Sequence, residues 1–412
     1  MDWSDSPEHR AFRDDVRAFI RERFPKNYSP DIHGHQSLEP EDVFGYNWVA
    51  DRCSSDPDRR EGAMAWAGAL AERGWVAPHW PKEYGGAGLS VAEEHILSEE
   101  MARARVPQVN GIGVNLLGPT LIAHGSEEQR RQHLPKILSG EVTWAQGFSE
   151  PGAGSDLAAL QTKAVPEGDV YVVNGQKIWT THAQYADWLF ILARTDPDEP
   201  KHRGISMFLL DAKTPGVTVT PIEDMRGDVP FNELFFDDVR VPVANRVGEE
   251  HRGWYVAMAT LDFERSGIGA TVKYRRTLED LVAWIRDCEA SRGRLRHHAR
   301  DVIRHEIAQR LIEVEVLNSL ALRTVSMQEA GQVPNVEASV NQLFSAELHQ
   351  RIAATGMKAI GMWGGNWEHD GTPLEGFLAH KYLEAVPYTI LSGTAEIQRN
   401  VIATRGLGLP RE

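Results

Sequence analysis

A block of short strands, from about Glu141 to Pro242, lies between two long helical stretches, and this change of period constrains the fold more than any other feature. The runs WLFILA (188–193), GISMFLL (204–210), VTVT (217–220) and ELFFDDVRV (233–241) are short, apolar or alternating, and broken by Pro, Gly and Asp. VYVV, then Asn174-Gly175, then QKIWTT predicts a hairpin, because Asn-Gly suits the positive-φ positions of a two-residue turn. Such a block predicts a small barrel or sandwich.

The flanks read differently. From Ser6 to about Leu138 the period is helical: Ser6-Pro7-Glu8 marks a helix start, and Phe12, Val16, Phe19 and Ile20 share one face. His79 to Ser90 is a Pro- and Gly-punctuated loop, after which AEEHILSEEMARA resumes the helical period. Beyond Gly253 helices return, with Ile303, Ile307, Leu311, Val314 and Leu317 spaced for one face of a long helix. A further helix is predicted over SVNQLFSAELHQRIAATGMKAIG. With 412 residues the chain exceeds one ordinary core. The expected division is a helical unit at 1–138, a β-domain at 139–247 and a helical bundle at 248–412.

Charge narrows the function. Lys+Arg 44 against Asp+Glu 59 leaves a net charge of −15, which repels nucleic acid and anionic membranes. Cys53 and Cys288 lack metal or redox spacing, so no metal site is expected and a reducing cytoplasm fits. The polar opening MDWSDSPEHR does not read as a secretory signal, and no apolar run nears the ~20 residues that span a bilayer.

Three segments can carry chemistry. In GFSEPGAGSDLAAL (147–160) the glycines free backbone N–H groups and Ser155-Asp156 can cap a helix start; a capped interdomain loop is the competing reading. In GQKIWTTHAQYADW (175–188) Trp179 is either core packing or the cover of a flat polar ligand whose edge the threonines bind. In WYVAMATLDFERSGIGA (254–270) the helical neighbours of Glu264 are Thr260, Leu261, Gly267 and Ile268. A carboxylate on that apolar face is desolvated and its pKa raised, which suits a general base; a surface or interface ion pair with Arg265 is the alternative.

FSEPGAGSD, GQKIWTT, FDDVRVPVANRVGEE and SGTAEIQR with its flank NVIATRGLGLP, in this order, resemble the acyl-CoA dehydrogenase family over nearly the whole chain. The resemblance implies an α+β multi-domain fold: a helical N-terminal domain, a middle β-barrel or sandwich, and a C-terminal four-helix bundle. It implies FAD between the β-domain and the bundle, and α,β-dehydrogenation of an acyl-CoA thioester. It places Gln146, Phe148, Ser149, Trp179, Thr181 and Gly361 beside the cofactor, with Thr394 and Glu396 on its adenosine part. Ser155, Asp262 and Arg265 match contacts to the CoA chain. Electron-transfer flavoprotein is the implied electron acceptor, and a homo-oligomer or a heteromer with a related subunit the implied assembly.

Two departures follow. Many members carry the catalytic glutamate immediately before the C-terminal Gly-Thr, where this chain has Ser392. Others place the base just before an Arg on the first bundle helix, and Glu264-Arg265 stands there, so Glu264 is the expected base and the Ser392 backbone is left to polarise the thioester. The Arg-x-x-Phe-Gly segment that reaches a neighbour's FAD in many members is absent from 291–309, and the late glycine motif reads MKAIGMWGG. This variant pattern resembles bacterial members that oxidise steroid side-chain or other bulky CoA thioesters. A catalytically silent subunit, or a flavin monooxygenase or oxidase, are the alternatives on the same scaffold.

Overall fold

The computed structural model describes residues 5–28, 46–263, 269–292, 297–366 and 372–410. Helices come first: α1 (Pro7–Arg23), α2 (Trp48–Asp51), α3 (Pro57–Glu72), α4 (Val91–Ala104), α5 (Gly118–His124) and α6 (Glu127–Leu138). The start of α1 is set as expected, with Pro7 in its first turn and the Ser6 hydroxyl accepting the His9 amide at 3.1 Å. Its apolar face buries Val16, Phe19 and Ile20 against Trp66 and Trp75. Helix α4 opens with a capping box between Ser90 and Glu93.

The strands are β1 (Trp144–Gly147), β2 (Lys163–Glu167), β3 (Val170–Thr181), β4 (Trp188–Arg194), β5 (Ile205–Asp211), β6 (Val217–Ile222), β7 (Phe231–Pro242) and β8 (Arg246–Val247). They run β6-β7-β3-β2-β4-β5-β8, with β1 parallel beside β4. The link from β2 to β4 is a single pair, Lys163 with Arg194, so the sheet divides there into two halves. Those halves face each other over a shared core that includes Tyr171, Val173, Leu189, Ile191, Phe208, Leu210, Leu234 and Phe236. The ring centroids of Tyr171 and Phe208 are 4.8 Å apart across it. The middle region is thus the sheet domain that alternation predicts.

The hairpin is not where the sequence puts it. Asn174-Gly175 lies inside the continuous strand β3, and the reversal falls at Gly168-Asp169, between the paired residues Glu167 and Val170. The demand for unusual backbone is met by an irregularity in the β3–β7 register between Val173 and Gly175. There the Asn174 side chain bonds Asp238 at 3.0 and 2.9 Å, and Asp238 itself has φ 48. A Cβ on Gly175 would meet the Thr162 hydroxyl at 2.6 Å, so the glycine also serves a close approach.

Helices resume with α7 (Gly253–Phe263), α8 (Gly269–Arg292), α9 (His297–Glu329), α10 (Asn335–Ile360), α11 (Phe377–Glu384) and α12 (Ala395–Val401). Gly253 starts α7 hard against β5: a Cβ there would fall 2.5 Å from the Met207 nitrogen and the Ser206 carbonyl carbon. The long helices α8, α9 and α10 pack together, and α11 and α12 both lie on α10. Of the face expected on α9, Ile307, Val314 and Leu317 are buried. Among the described residues no helix is long and apolar enough to cross a membrane.

The helical N-terminal region is tied to the sheet by polar contacts. Arg52 of the segment after α2 pairs with Asp187 at 2.5 Å, and the Asn47 amide nitrogen lies 3.2 Å from Nε2 of His182. His133 of α6 sits between Trp144 and Trp188, with centroids 5.1 and 5.0 Å away. Burial pulls this imidazole down to about 4, so it is neutral packing at pH 7.

Candidate functional site

The glycine-rich loop after β1 and the end of β3 come together. The Ile178 amide donates to the Ser149 carbonyl at 2.9 Å, and Lys177 Nζ donates to the Phe148 carbonyl at 3.1 Å and to Glu150 Oε1 at 2.8 Å. Glu150 also accepts the Gln161 and Thr162 amides at 2.6 and 2.8 Å. This buried pair staples the loop 148–162 to β3. Burial pulls the Lys177 ammonium down to about 8, with Glu150 opposing. Burial also pushes the Glu150 carboxyl up, but Lys177 and the two amides outweigh it and hold the group below its ordinary value. Both residues stand inside quoted motifs, yet neither was singled out there.

Trp179 is not core. A second break in the β3–β7 register, between Lys177 and Thr180, puts Trp179 at φ 61 and leaves it 57% exposed, while Thr180 turns inward. The ring of Phe231, at the start of β7, meets the indole edge-on at 5.8 Å and 84°. Among the described residues, two buried polar atoms of the strands have no hydrogen-bond partner: Gln146 Nε2 on β1 and Thr180 Oγ1 on β3. Thr181 pairs with Phe231 in the ladder. An exposed indole held at a strained backbone angle fits the cover of a flat ligand, whereas the Thr180 hydroxyl faces the interior and does not reach that side. The Phe148 ring is buried against Phe190 at 5.6 Å, which leaves its backbone as the part open to a ligand. Ser149 is half-buried.

Ser155 is exposed, and the short turn of helix after it, Leu157–Ala159, receives no side-chain cap from Asp156. Asp156 instead pairs with Lys201 at 2.8 Å. The capped-loop reading therefore fails at its cap. A separate cleft of about 440 Å³ is lined by Glu150, Pro151, Gly152, Ala159, Gln161, Thr162, Gly175 and Gln176. None of the residues expected to bind cofactor or substrate lines it.

The other expected residues lie in the C-terminal helical region, Gly361 apart from the rest. Gly361 ends α10 at φ 61. Ser392 and Gly393 follow one another at φ 54 and 89, and both are exposed. Gln398 holds this turn by donating to the Ser392 and Gly393 carbonyls at 3.2 and 3.3 Å. The Thr394 hydroxyl caps α12 by accepting the Ile397 amide at 3.2 Å, and Glu396 is exposed in the first turn. Glu264 and Arg265 lie outside the described residues, as does the side chain of Asp262 in the last turn of α7.

The described link between the two sets runs through Arg226, which sequence reasoning missed because its loop carries no motif. Arg226 Nη1 is 3.6 Å from Glu384 Oε2 of α11, and its other nitrogens reach Asp224 at 2.8 Å and Asp228 at 3.4 Å. Burial pushes the Asp228 carboxyl up to about 7, with Arg226 opposing and Asp224 and Glu384 adding to the rise.

Comparison with known proteins gives the family. The sequence matches the family descriptions acyl-CoA dehydrogenase N-terminal domain over 49–141, middle domain over 145–239 and C-terminal domain over 251–407. Acyl-CoA dehydrogenase IpdE1 of Mycolicibacterium smegmatis is 39% identical over 394 residues, covering 89% of this chain and 96% of that protein. A solved structure described as Tcur3481-Tcur3483 steroid ACAD superposes with a TM-score of 0.82 at 31% identity, over 100% of both chains. The ChsE4-ChsE5 complex from Mycobacterium tuberculosis gives a TM-score of 0.82 at 32% identity, again over 100% of both. With its motifs, its helix–sheet–helix order and these relatives in agreement, the chain belongs to the acyl-CoA dehydrogenase family and is an oxidoreductase of that kind.

Proposed function

We propose that the chain carries out FAD-dependent α,β-dehydrogenation of an acyl-CoA thioester to the trans-2-enoyl-CoA, with Glu264 as the base. The observation that carries the cofactor reading is Trp179, held out at φ 61 and 57% exposed. Bound FAD would supply the hydride acceptor at N5. On the β-domain side, Gln146, Phe148, Ser149, Trp179 and Thr181 would hold its ring system, and Gly361, Thr394 and Glu396 would hold the rest. Thr394 already spends a lone pair on its own helix, which leaves its O–H to donate.

Ser155, Asp262 and Arg265 would grip the CoA chain, and the Ser392 N–H would donate to the thioester oxygen as charge develops there. Glu264 would then take the α-proton, since Ser392 has no basic group at neutral pH. Both structural neighbours carry paired names and one is called a steroid ACAD, which supports a bulky, steroid-derived acyl group and a related partner subunit. Electron-transfer flavoprotein would reoxidise the cofactor. Ser392 in place of an acid also favours a second reading, a silent cofactor-binding subunit.

Anaerobic addition of acyl-CoAs to the purified yellow protein separates these readings. Flavin bleaching that Glu264→Gln abolishes and Ser392→Ala retains supports the proposal. Wild-type bleaching rates in Glu264→Gln would overturn the base assignment. Bound FAD that no steroid-type or straight-chain acyl-CoA bleaches would favour the silent subunit, and rapid reoxidation by air would favour an oxidase.

A further inference from the structure

We propose that Arg226 is a positioning residue: by tying the loop that enters β7 to the helix that enters the Ser392 turn, it sets the spacing between the two walls of the cofactor cleft. The inference rests on the flavoprotein reading above and adds a determinant to it.

The first observation is the join itself. The Arg226 side chain, only 3% exposed, comes from the loop between β6 and β7, and Glu384 of α11 is 4% exposed. Arg226 donates to Asp224 Oδ2 through Nε at 3.0 Å and Nη2 at 2.8 Å, and Nη1 reaches Glu384 at 3.6 Å. Lys381 Nζ completes the Glu384 carboxylate at 2.7 and 2.6 Å. A buried pair of this kind is weak evidence for stability, because desolvation offsets most of its attraction. Its best-attested use is to fix register. Apolar faces can slide past one another, whereas a planar fork held by three carboxylates cannot do so without stranding a charge.

The second observation is what lies on either side of the join. On the sheet side, the Val229 carbonyl accepts from Gln184 Nε2 at 2.7 Å and the Pro230 carbonyl accepts the His182 amide at 2.9 Å. The next residue, Phe231, carries the ring that meets Trp179 and pairs with Thr181. Only four residues therefore separate Arg226 from Phe231 of the indole wall. On the helix side, Gln350 of α10 donates to the carbonyls of Ala385 and Val386 at 3.3 and 3.4 Å and to the Thr389 hydroxyl at 3.2 Å. His349 packs edge-on against Tyr388 at 4.6 Å and 78°. The segment from Glu384 to Ser392 is thus a short strap pinned at both ends. Neither wall has slack between the ion pair and the groups it would position.

Glu384→Gln tests this, because Arg226 keeps Asp224 and Asp228 and the fold is retained. Hydrogen exchange in cofactor-free protein should accelerate about tenfold in peptides spanning 385–394 and not elsewhere. In the FAD-loaded enzyme, flavin reduction should slow by roughly ten- to a hundredfold with KM for the acyl-CoA little changed, the signature of misplacement by about 1 Å. Arg226→Lys, which keeps the charge but not the fork, should fall between the two and serves if Glu384→Gln does not fold. Wild-type exchange in 385–394, or acceleration spread evenly over the chain, would overturn the inference. The exchange arm needs no flavin, so a wild type that binds no FAD defeats the functional reading without deciding this one.

Discussion

The ammonium of Lys177 lies 2.8 Å from Oε1 of Glu150, with the lysine side chain wholly out of solvent. With the Ile178–Ser149 and Lys177–Phe148 hydrogen bonds, that contact closes the glycine-rich loop onto the strand that presents Trp179. Lys177→Met would leave a buried carboxylate without its counter-charge, and the expected loss is about 3–5 kcal/mol. The double variant Lys177→Met/Glu150→Leu should recover only part of it. Glu150 also satisfies the Gln161 and Thr162 amides, and each stranded amide costs about 1–3 kcal/mol. Urea denaturation of the three proteins checks this; a double variant as stable as wild type would refute it.

Trp179 separates ligand binding from folding. Its exposed ring contributes little packing, and its positive φ carries a strain on the order of 1 kcal/mol that glycine relieves. Trp179→Gly should therefore melt at or above the wild-type temperature without FAD, while binding FAD more weakly. A lower melting temperature for the cofactor-free variant would return Trp179 to a structural role.

Asp228 predicts a pH dependence of stability. Its ordinary value is 3.8 and its folded value about 7, so across that window the native state keeps a proton that the unfolded chain has released. Stability is therefore lost as pH rises from about 4 to 7, by an amount on the order of a few kcal/mol. Asp228→Asn cannot ionise and should show a smaller fall between pH 5 and pH 8. Denaturation free energies at the two pH values measure the difference, and equal falls in both proteins would exclude Asp228 as the cause.

The division of labour between Glu264 and Ser392 can be tested by transplantation. If the base of other family members sits at the Gly-Thr turn, Glu264→Gln/Ser392→Glu should regain measurable flavin bleaching that Glu264→Gln alone lacks. Ser392 stands at φ 54, so the new glutamate must accept a strained backbone and the recovery should be partial. Anaerobic single-turnover reduction reads it directly, and no recovery would argue against convergence on one α-carbon.

Periodicity made the helix–sheet–helix order legible, and capping chemistry located the start of α1 to the residue. What it could not supply is parity. Tyr171, Val173 and Lys177 of β3 all face inward, and strict alternation would bury Trp179 next. The break between Lys177 and Thr180 reverses the sides, a consequence of long-range pairing with β7 that no local signal reports. The same limit displaced the hairpin, since Asn174-Gly175 satisfies its backbone preference equally well inside a bulged strand. Lys177 escaped notice because a lysine in a strand is ordinarily solvated. Arg226 escaped because its meaning lies in Glu384, 158 positions away by the difference 384 − 226. The motif residues of the two cleft walls were legible only through family resemblance.

The seat of Gly253 against β5 has a consequence for where distances in this enzyme originate. A helix of eleven residues, about 16 Å at ~1.5 Å per residue, runs from that seat to Phe263. Its zero point is the sheet that carries Trp179, not the bundle that follows. The last described turn of α7 and the proposed flavin wall are thus surveyed from one benchmark, so a methyl group added at Gly253 would displace the origin of that measurement.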